Sequence, residues 1–339
     1  MARTLLIFGH SYVFTRVVAH PFMRSVFLVS CCCLLGLSSF AQVGNEWINF
    51  SQSYYKIPVA REGIYKLDYN TLQAAGFPVG SIDPKKIQLF HRGIEQHIFV
   101  EGENDLQFDP TDFVEFFGRK NDGTLDAALY KPSTAQPHQH YNLYSDTTSY
   151  FLTVGAIDGK RAVVFSESNV DNLPPESHHR GRSLLLFTNE YAGGVDIGNE
   201  IFHSYYDVGE GWTSGKIFQT QQVDHIVSGI TKTATANGTP ELEFMILGRG
   251  AMAHQVEIYV GPSIRLLTTL NFSGYEQQKV TLPIQWTDIT VDGKLTVRVK
   301  VNGVGGQPDR VSVSYLSVIF PQRLDAEGAT EKIFALRPN

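Results

Sequence analysis

The sequence predicts an all-β protein, in which a small N-terminal β-rich module with one short helix precedes a β-sandwich of jelly-roll type. Several segments alternate strictly between apolar and polar residues, as in residues 256–260 and 295–301. A period of two indicates a strand with one buried face. Gly, Asn and Pro separate these segments at short intervals, as they do at turns. Beyond residue 42, no segment combines the length and the period of a long helix.

The N-terminus carries the pattern of an export signal. Met23 precedes a basic residue and then an apolar run over residues 25–40. Small residues lead to a predicted cleavage site between Ala41 and Gln42. We expect residues 1–41 to be this signal, with Met23 as the true start, and the mature chain to reach the periplasm or the outer-membrane surface. The alternative is one uncleaved transmembrane helix, because the apolar run is near the lower length limit for crossing a bilayer.

Cysteine content and charge exclude several classes of function. The chain has three cysteines, Cys31 to Cys33, and all of them lie inside the predicted signal. The mature chain would therefore have no disulfide, no thiolate zinc site and no cysteine nucleophile. The net charge is −6, and the predicted signal contributes only basic residues, so the mature chain is more acidic still. An acidic surface repels phosphate backbones, which argues against a nucleic-acid partner.

The first predicted module spans residues 42–155. Its helix signal is short, because Asp68 or Asn70 can cap the start and Gly76 can close the end before a proline. A loop at about 131–140 contains two prolines and lacks an apolar period. The predicted elements are two strands in residues 47–67, a brief helix in 68–78, a hairpin in 87–100, and strands in 112–118 and 141–155.

The second predicted module spans residues 156–325 and consists of strands separated by turn signals. In its last segment, Val311, Val313 and Tyr315 alternate with Ser312 and Ser314, which predicts a strand with one wet face. We expect residues 326–339 to begin a linker to a further, downstream domain.

One acidic stretch resembles a calcium loop. Its candidate ligands are Glu101, Glu103, Asp105, Asp109 and Asp112. However, an EF-hand loop needs glycine where Leu106 stands and a longer bidentate glutamate where Asp112 stands. The flanking segments also alternate like strands. The stretch is therefore better explained as a solvated hairpin end, in which acids prevent edge pairing. Calcium binding is kept as an alternative, and no other cofactor is expected.

Trp212 is the candidate for ligand binding. It stands among glycines and acids, so it could form a loop platform for a sugar ring, or it could cap the sandwich core. His138 and His140, like His178 and His179, form pairs that could bind zinc only with ligands from elsewhere. We interpret them as solvated loop histidines. The sequence contains no nucleophile-elbow, SxxK, HExxH, P-loop or GxGxxG motif.

Residues 45–335 resemble the N-terminal, non-catalytic region of PorU-type sortases, the gingipain-like cysteine peptidases of the type IX secretion system in Bacteroidetes. The resemblance rests on the order of several segments and not on chemical motifs. These segments are YYKIPVAREGIYKL (54–67), AAGF (74–77), DPKKIQLFHRG (83–93), DPTDFVEFFG (109–118), HSYYDVGEGWTSGKIF (203–218) and DRVSVSYLSVIFPQRL (309–324).

The resemblance implies a part of a peptidase family that is not an enzyme by itself. That family carries a histidine–cysteine peptidase domain downstream, and no catalytic residue can be carried over to this chain. We expect the modules to position or shield such a peptidase during secretion and surface attachment of cargo proteins. The expected partners are the peptidase domain or other secretion-system components. The alternative is a carbohydrate-binding or adhesive surface module, whose partner would be a surface glycan.

Overall fold

The chain is an all-β protein, as predicted. A computed structural model describes residues 44–163, 175–304, 308–329 and 332–336. None of the helices in these ranges has the length and apolar character that crossing a bilayer requires. The elements of the first part are β1 (Tyr55–Val59), β2 (Gly63–Asp68), α1 (Tyr69–Ala74), β3 (Ile87–His91), β4 (Ile94–Gln96), β5 (Phe99–Val100), β6 (Phe113–Gly118) and β7 (Thr148–Val154).

Two small antiparallel sheets share one core in this first part. One sheet has the strand order β1-β7-β3-β4 and the other β2-β6-β5. Helix α1 begins where the sequence indicated, because the Asp68 carboxylate accepts a hydrogen bond from the Thr71 amide at 2.7 Å. It ends at Ala74, and the chain turns away at Gly76, whose φ of 77° lies in the left-handed region that glycine tolerates. The helix places Leu72 in the same buried cluster as Ile87 and Leu152 from β3 and β7.

The second part is a β-sandwich. One sheet has the order β11-β18-β13-β16, with β8 also paired to β18, and the facing sheet has the order β12-β17-β14-β15. Strands β9 and β10 form a separate two-stranded ribbon. The strands are β8 (His179–Leu186), β9 (Glu190–Gly193), β10 (Glu210–Thr213), β11 (Ile217–Phe218), β12 (Gln222–Val227), β13 (Glu241–Gly248), β14 (Ala253–Val260), β15 (Arg265–Ser273), β16 (Gln277–Pro283), β17 (Leu295–Val301) and β18 (Arg310–Gln322).

The core of the sandwich comes from the alternating residues that the sequence indicated. Val256, Ile258 and Val260 of β14 are fully buried. The apolar residues of β17 meet them in the same cluster, from Leu295 to Val301. Because each apolar residue on these strands points inward and each polar neighbour points outward, the period-two pattern was sufficient to predict this sheet.

Strand β18 differs from the prediction of one wet face. Ser312 and Ser314 are buried, as is every residue from Val311 to Gln322. The pairing with β13 shifts by one residue between Met245 and Ile246, which leaves Ser314 as a bulge. The bulge turns Tyr315 away from the sandwich core, although Val313 faces it. The prediction failed here because period two assumes an unbroken pleat with solvent on one side.

A buried polar pair fixes the start of β14 beside the start of β18. Nδ1 of His254 lies 2.5 Å from Oδ1 of Asp309, and both side chains are completely buried. The other ring nitrogen of His254 donates to the Gly274 carbonyl at 2.7 Å. Each nitrogen of this imidazole therefore has a partner, which removes most of the cost of burying a polar ring.

We expect Asp309→Ala to destabilise the protein strongly, because it leaves the buried His254 with an unpaired ring nitrogen. The loss should be about 3–5 kcal/mol, the range for breaking one partner of a buried pair. Asp224→Ala is the matched control, since the Asp224–Arg298 pair lies on the surface and should contribute less than about 1 kcal/mol. Urea unfolding measures both variants, and equal losses would contradict this role for Asp309.

Candidate functional site

The acidic stretch lies in the connection between β5 and β6, which pair antiparallel. Its acids have structural partners: Glu103 forms an ion pair with Arg161 at 2.6 Å, and Asp112 accepts a hydrogen bond from the Asp109 amide at 2.7 Å. Gly102, with a φ of 82°, sits against Asp112 so closely that a Cβ there would lie 2.1 Å from its carboxylate. Within the described ranges, no three acids or histidines are grouped as in a metal site. Calcium binding by this stretch stays a prediction.

Trp212 lies on strand β10 and not in a loop. It is half-buried and pairs across the ribbon with Tyr191, whose ring it meets edge to face at 5.2 Å. Trp212 therefore supports Tyr191 from one side. Its role in ligand binding stays a prediction.

The predicted cleavage site at Ala41 and Gln42 lies outside the described residues and also stays a prediction.

His138 and His140 are packed against the second part of the chain, contrary to the expectation of solvated loop histidines. Both rings meet the ring of Tyr315 edge to face, at 5.3 and 4.8 Å. The Tyr315 hydroxyl in turn donates to Glu243 at 3.1 Å. The sequence could not show this contact, because it depends on the bulge in β18 that turns Tyr315 outward.

In this histidine–tyrosine contact, formed by His138, His140 and Tyr315, burial changes the pKa of both histidines. Loss of solvent lowers the pKa of His138 to about 3 and that of His140 to about 4. Nearby positive charges add to the effect, chiefly His140 for His138 and Arg182 for His140. Both rings are therefore neutral in the folded protein near pH 7.

The same loop makes further contacts with the second part. The Lys131 amide donates to the Tyr206 carbonyl at 2.9 Å, and the Tyr130 hydroxyl donates to the Glu210 carbonyl at 3.3 Å. Pro137 lies close to Gly211, where an added Cβ would come within 3.3 Å of the proline ring. The loop is thus an integral part of the surface beside the β9–β10 ribbon.

A polar cleft of about 550 Å³ opens beside this ribbon. Glu190 and Tyr191 of β9 and Glu210 of β10 supply one wall, and Arg249 and Arg310, at the ends of β13 and β18, supply another. These positions are far apart in the sequence. The pairing of β18 with β13 and of β9 with β10 brings them together.

One end of the cleft contains a network centred on Glu190. Its Oε1 accepts hydrogen bonds from Arg249 at 2.7 Å and from Lys216 at 3.1 Å. Arg249 also donates to the hydroxyls of Thr213 and Ser312, at 3.2 and 3.3 Å. These hydrogen bonds and the two cations hold the pKa of Glu190 below its usual range, although partial burial opposes them. The carboxylate is therefore charged but electrically compensated.

The other end contains Glu210, a buried carboxyl group. Tyr191 donates its hydroxyl to Oε1 at 2.7 Å, and the Asp207 amide donates to Oε2 at 3.0 Å. Burial raises the pKa of Glu210, while both hydrogen bonds oppose the shift. Asp207 itself accepts from His203 at 2.6 Å. Glu190 and Glu210 are thus each held in one orientation by their neighbours.

Sequence reasoning missed this cleft, although one signal was available. Both strands of the ribbon carry an acid close to an aromatic residue, Glu190 with Tyr191 and Glu210 with Trp212, and glycines follow or separate them. Two such matching segments indicate a paired ribbon with a common polar face. Arg249 and Arg310 offered no such signal.

No protein-family model matches the chain, and no curated protein matches it. Among solved structures, the chain is similar to the crystal structure of dimeric latent PorU from Porphyromonas gingivalis, with a TM-score of 0.52 and 15% identity. The match covers 84% of this chain and 25% of that chain. The chain therefore shares a fold with a part of PorU and spans about a quarter of its length. The resemblance noted in the sequence is matched by a similarity in fold.

The chain is also similar, over smaller parts, to two carbohydrate-binding modules. One is the CBM36-1 domain of a multidomain xylanase from the hindgut metagenome of Trinervitermes trinervoides, with a TM-score of 0.25, 14% identity, and coverage of 41% of this chain and 95% of that chain. The other is CBM36 in complex with calcium and xylotriose, with a TM-score of 0.23, 16% identity, and coverage of 38% and 97%. TM-scores this low establish neither a shared fold nor a shared ligand.

We expect stability to fall as the pH is lowered from about 6.5 towards 4. In the unfolded chain, His138 and His140 become protonated near pH 6.5. In the folded protein the pKa is about 4 for His140 and about 3 for His138, so both rings stay neutral to lower pH. Protons thus favour the unfolded state within this window. Urea unfolding at pH 7 and pH 4.5 should show a loss of at least about 1 kcal/mol.

The double variant His138→Gln/His140→Gln should lose less stability between these two pH values than the parent protein. His97→Gln is the matched control, because His97 is exposed and should leave the pH dependence unchanged. An unaltered pH dependence in the double variant would show that other groups cause the loss.

Proposed function

We propose that this chain is a non-catalytic, exported module that packs against a PorU-type peptidase domain and positions or shields it. The observation that carries the proposal is the similarity of fold to latent PorU over 84% of the chain, together with the order of sequence segments that first indicated it. We also propose that this chain corresponds to the N-terminal region of the PorU-type proteins. The latent state of the neighbouring structure is compatible with a shielding role.

The cysteine positions support a non-catalytic role. A gingipain-type peptidase needs a cysteine nucleophile activated by histidine. The cysteines of this chain are Cys31 to Cys33, within the predicted signal. The sheets of the mature chain would then contribute surface and not a reacting thiol.

The last described residues support a positioning role. The Ala335 carbonyl accepts a hydrogen bond from the Arg180 amide of β8 at 2.9 Å, and the Phe334 ring meets the buried His179 ring at 4.9 Å. Lys332 donates to the Asp325 carbonyl at 2.7 Å. A domain attached to this segment would be held at the β8 edge of the sandwich.

A surface groove of about 590 Å³ lies near the start of β8 and extends across the neighbouring strands. Arg180 of β8, Glu241 of β13 and Pro321 of β18 line it. Arg180 lines this groove while its amide holds Ala335, so the groove lies close to the segment from which a downstream peptidase domain would extend. We therefore place the proposed contact there.

The purified full chain should bind a separately produced histidine–cysteine peptidase domain of PorU type, and should slow its hydrolysis of a peptide substrate. Arg180→Glu should weaken binding by about tenfold, since it introduces a repulsive charge within the contact. Arg61→Glu, on the first part of the chain, is the matched control. Binding is measured by biolayer interferometry.

Two results would contradict the proposal. One is the lack of a complex at protein concentrations of about 0.1 mM. The other is equal weakening by Arg180→Glu and Arg61→Glu, because this would show a general charge effect and no specific groove. Circular dichroism should confirm that both variants remain folded.

A further inference from the structure

The cleft beside the β9–β10 ribbon has the dimensions of a small-molecule site. Its volume of about 550 Å³ lies within the range of about 300–1,000 Å³ that is typical of ligand pockets. Its walls include polar side chains with fixed hydrogen-bond partners, described above, and aromatic rings. The shape and the lining residues of the cleft indicate the chemistry of its ligand, and this argument does not depend on the proposed contact with a peptidase.

Two aromatic residues of the cleft are held close to backbone that lacks a Cβ. The Phe202 ring lies on Gly193, where a Cβ would come within 3.1 Å of three ring atoms. Tyr275 also lines the cleft, and its backbone carbonyl lies against Gly209, 2.7 Å from the position of a Cβ. Phe202 remains 43% exposed although it is held in this position. The cleft therefore presents a flat apolar face to its contents.

The charges of the cleft are largely compensated. The lining contains four acids, Glu190, Asp196, Glu200 and Glu210, and three bases, Lys216, Arg249 and Arg310, and Glu190 is paired with two of these bases. A strongly charged ligand would have to displace these partners. A neutral ligand with several hydroxyl groups could instead use their remaining hydrogen-bonding capacity, because carboxylates accept and guanidinium groups donate in several directions.

The orientation of these groups is fixed before any ligand arrives. The Arg249 side chain is only 10% exposed and makes hydrogen bonds to three different residues. Glu210 is held by Tyr191 and by the backbone. Side chains that are already ordered lose little conformational entropy on binding. A ligand that makes only a few contacts can therefore bind with measurable affinity.

We propose that this cleft binds a neutral saccharide. The apolar face of one sugar ring would stack on Phe202 or Tyr275, and its hydroxyls would form hydrogen bonds with Glu190, Glu210 and Arg249. The inference is independent of the proposed function, because the cleft and the β8 groove have no lining residue in common.

The test uses the purified full chain and a panel of neutral linear oligosaccharides with three to six xylose, glucose, mannose or galactose units. Saturation-transfer NMR identifies a bound member, and isothermal titration calorimetry gives its Kd. At least one of the variants Phe202→Ala and Tyr275→Ala should weaken the affinity by about tenfold, because the stacking surface is lost. Glu210→Gln should also weaken binding, since the amide replaces one acceptor by a donor.

Phe117→Ala is the matched control, since Phe117 is 41% exposed and lies on β6 in the first part of the chain. It should leave the Kd unchanged. Lack of binding by every neutral oligosaccharide at about 10 mM would overturn the proposal. So would binding that Phe202→Ala, Tyr275→Ala and Glu210→Gln all leave intact while the variants remain folded. Selective binding of sulfated or uronic-acid polymers, tested in parallel, would overturn the preference for a neutral ligand.

Discussion

Strand β18 must be covered on both faces, and much of the architecture follows from this constraint. One face carries Val311, Val313 and Leu316 into the sandwich core. The other face carries Tyr315, which the histidines of the loop from the first part cover. A strand that is buried on both faces needs a layer of protein on each face. The facing sheet of the sandwich covers only one face of β18, so another part of the chain must cover the other. The contact between the two parts is therefore a requirement of packing.

The sequence predicted those elements whose pattern is local. Strict alternation identified β14 and β17, and a capping aspartate and a closing glycine identified α1, because each signal lies within a few residues of the structure it causes. The prediction for β18 failed at Ser314, where a bulge breaks the pleat. A bulge depends on the partner strand, and the sequence of one strand does not contain that information.

The candidate sites show the same limit. Alternating acids between Glu101 and Asp112 suggested a cation, but the pattern could not show that Arg161 would pair with one of them. Trp212 was conspicuous in the sequence, yet the structure places it beside the cleft as a support for Tyr191. The two ribbon segments carried a local signal, but Arg249 and Arg310 join the cleft only through the pairing of distant strands, so no local motif could have identified them.

The loop over residues 131–140 has a practical consequence for the preparation of fragments. In the sequence it belongs to the first predicted module, but its histidines cover a tyrosine of the second. A recombinant piece that starts at the predicted boundary, residue 156, would leave the ring of Tyr315 without this cover. Exposed aromatic surface promotes self-association. Fragments of the sandwich should therefore retain this loop, for example through a circular permutation that joins it to another terminus.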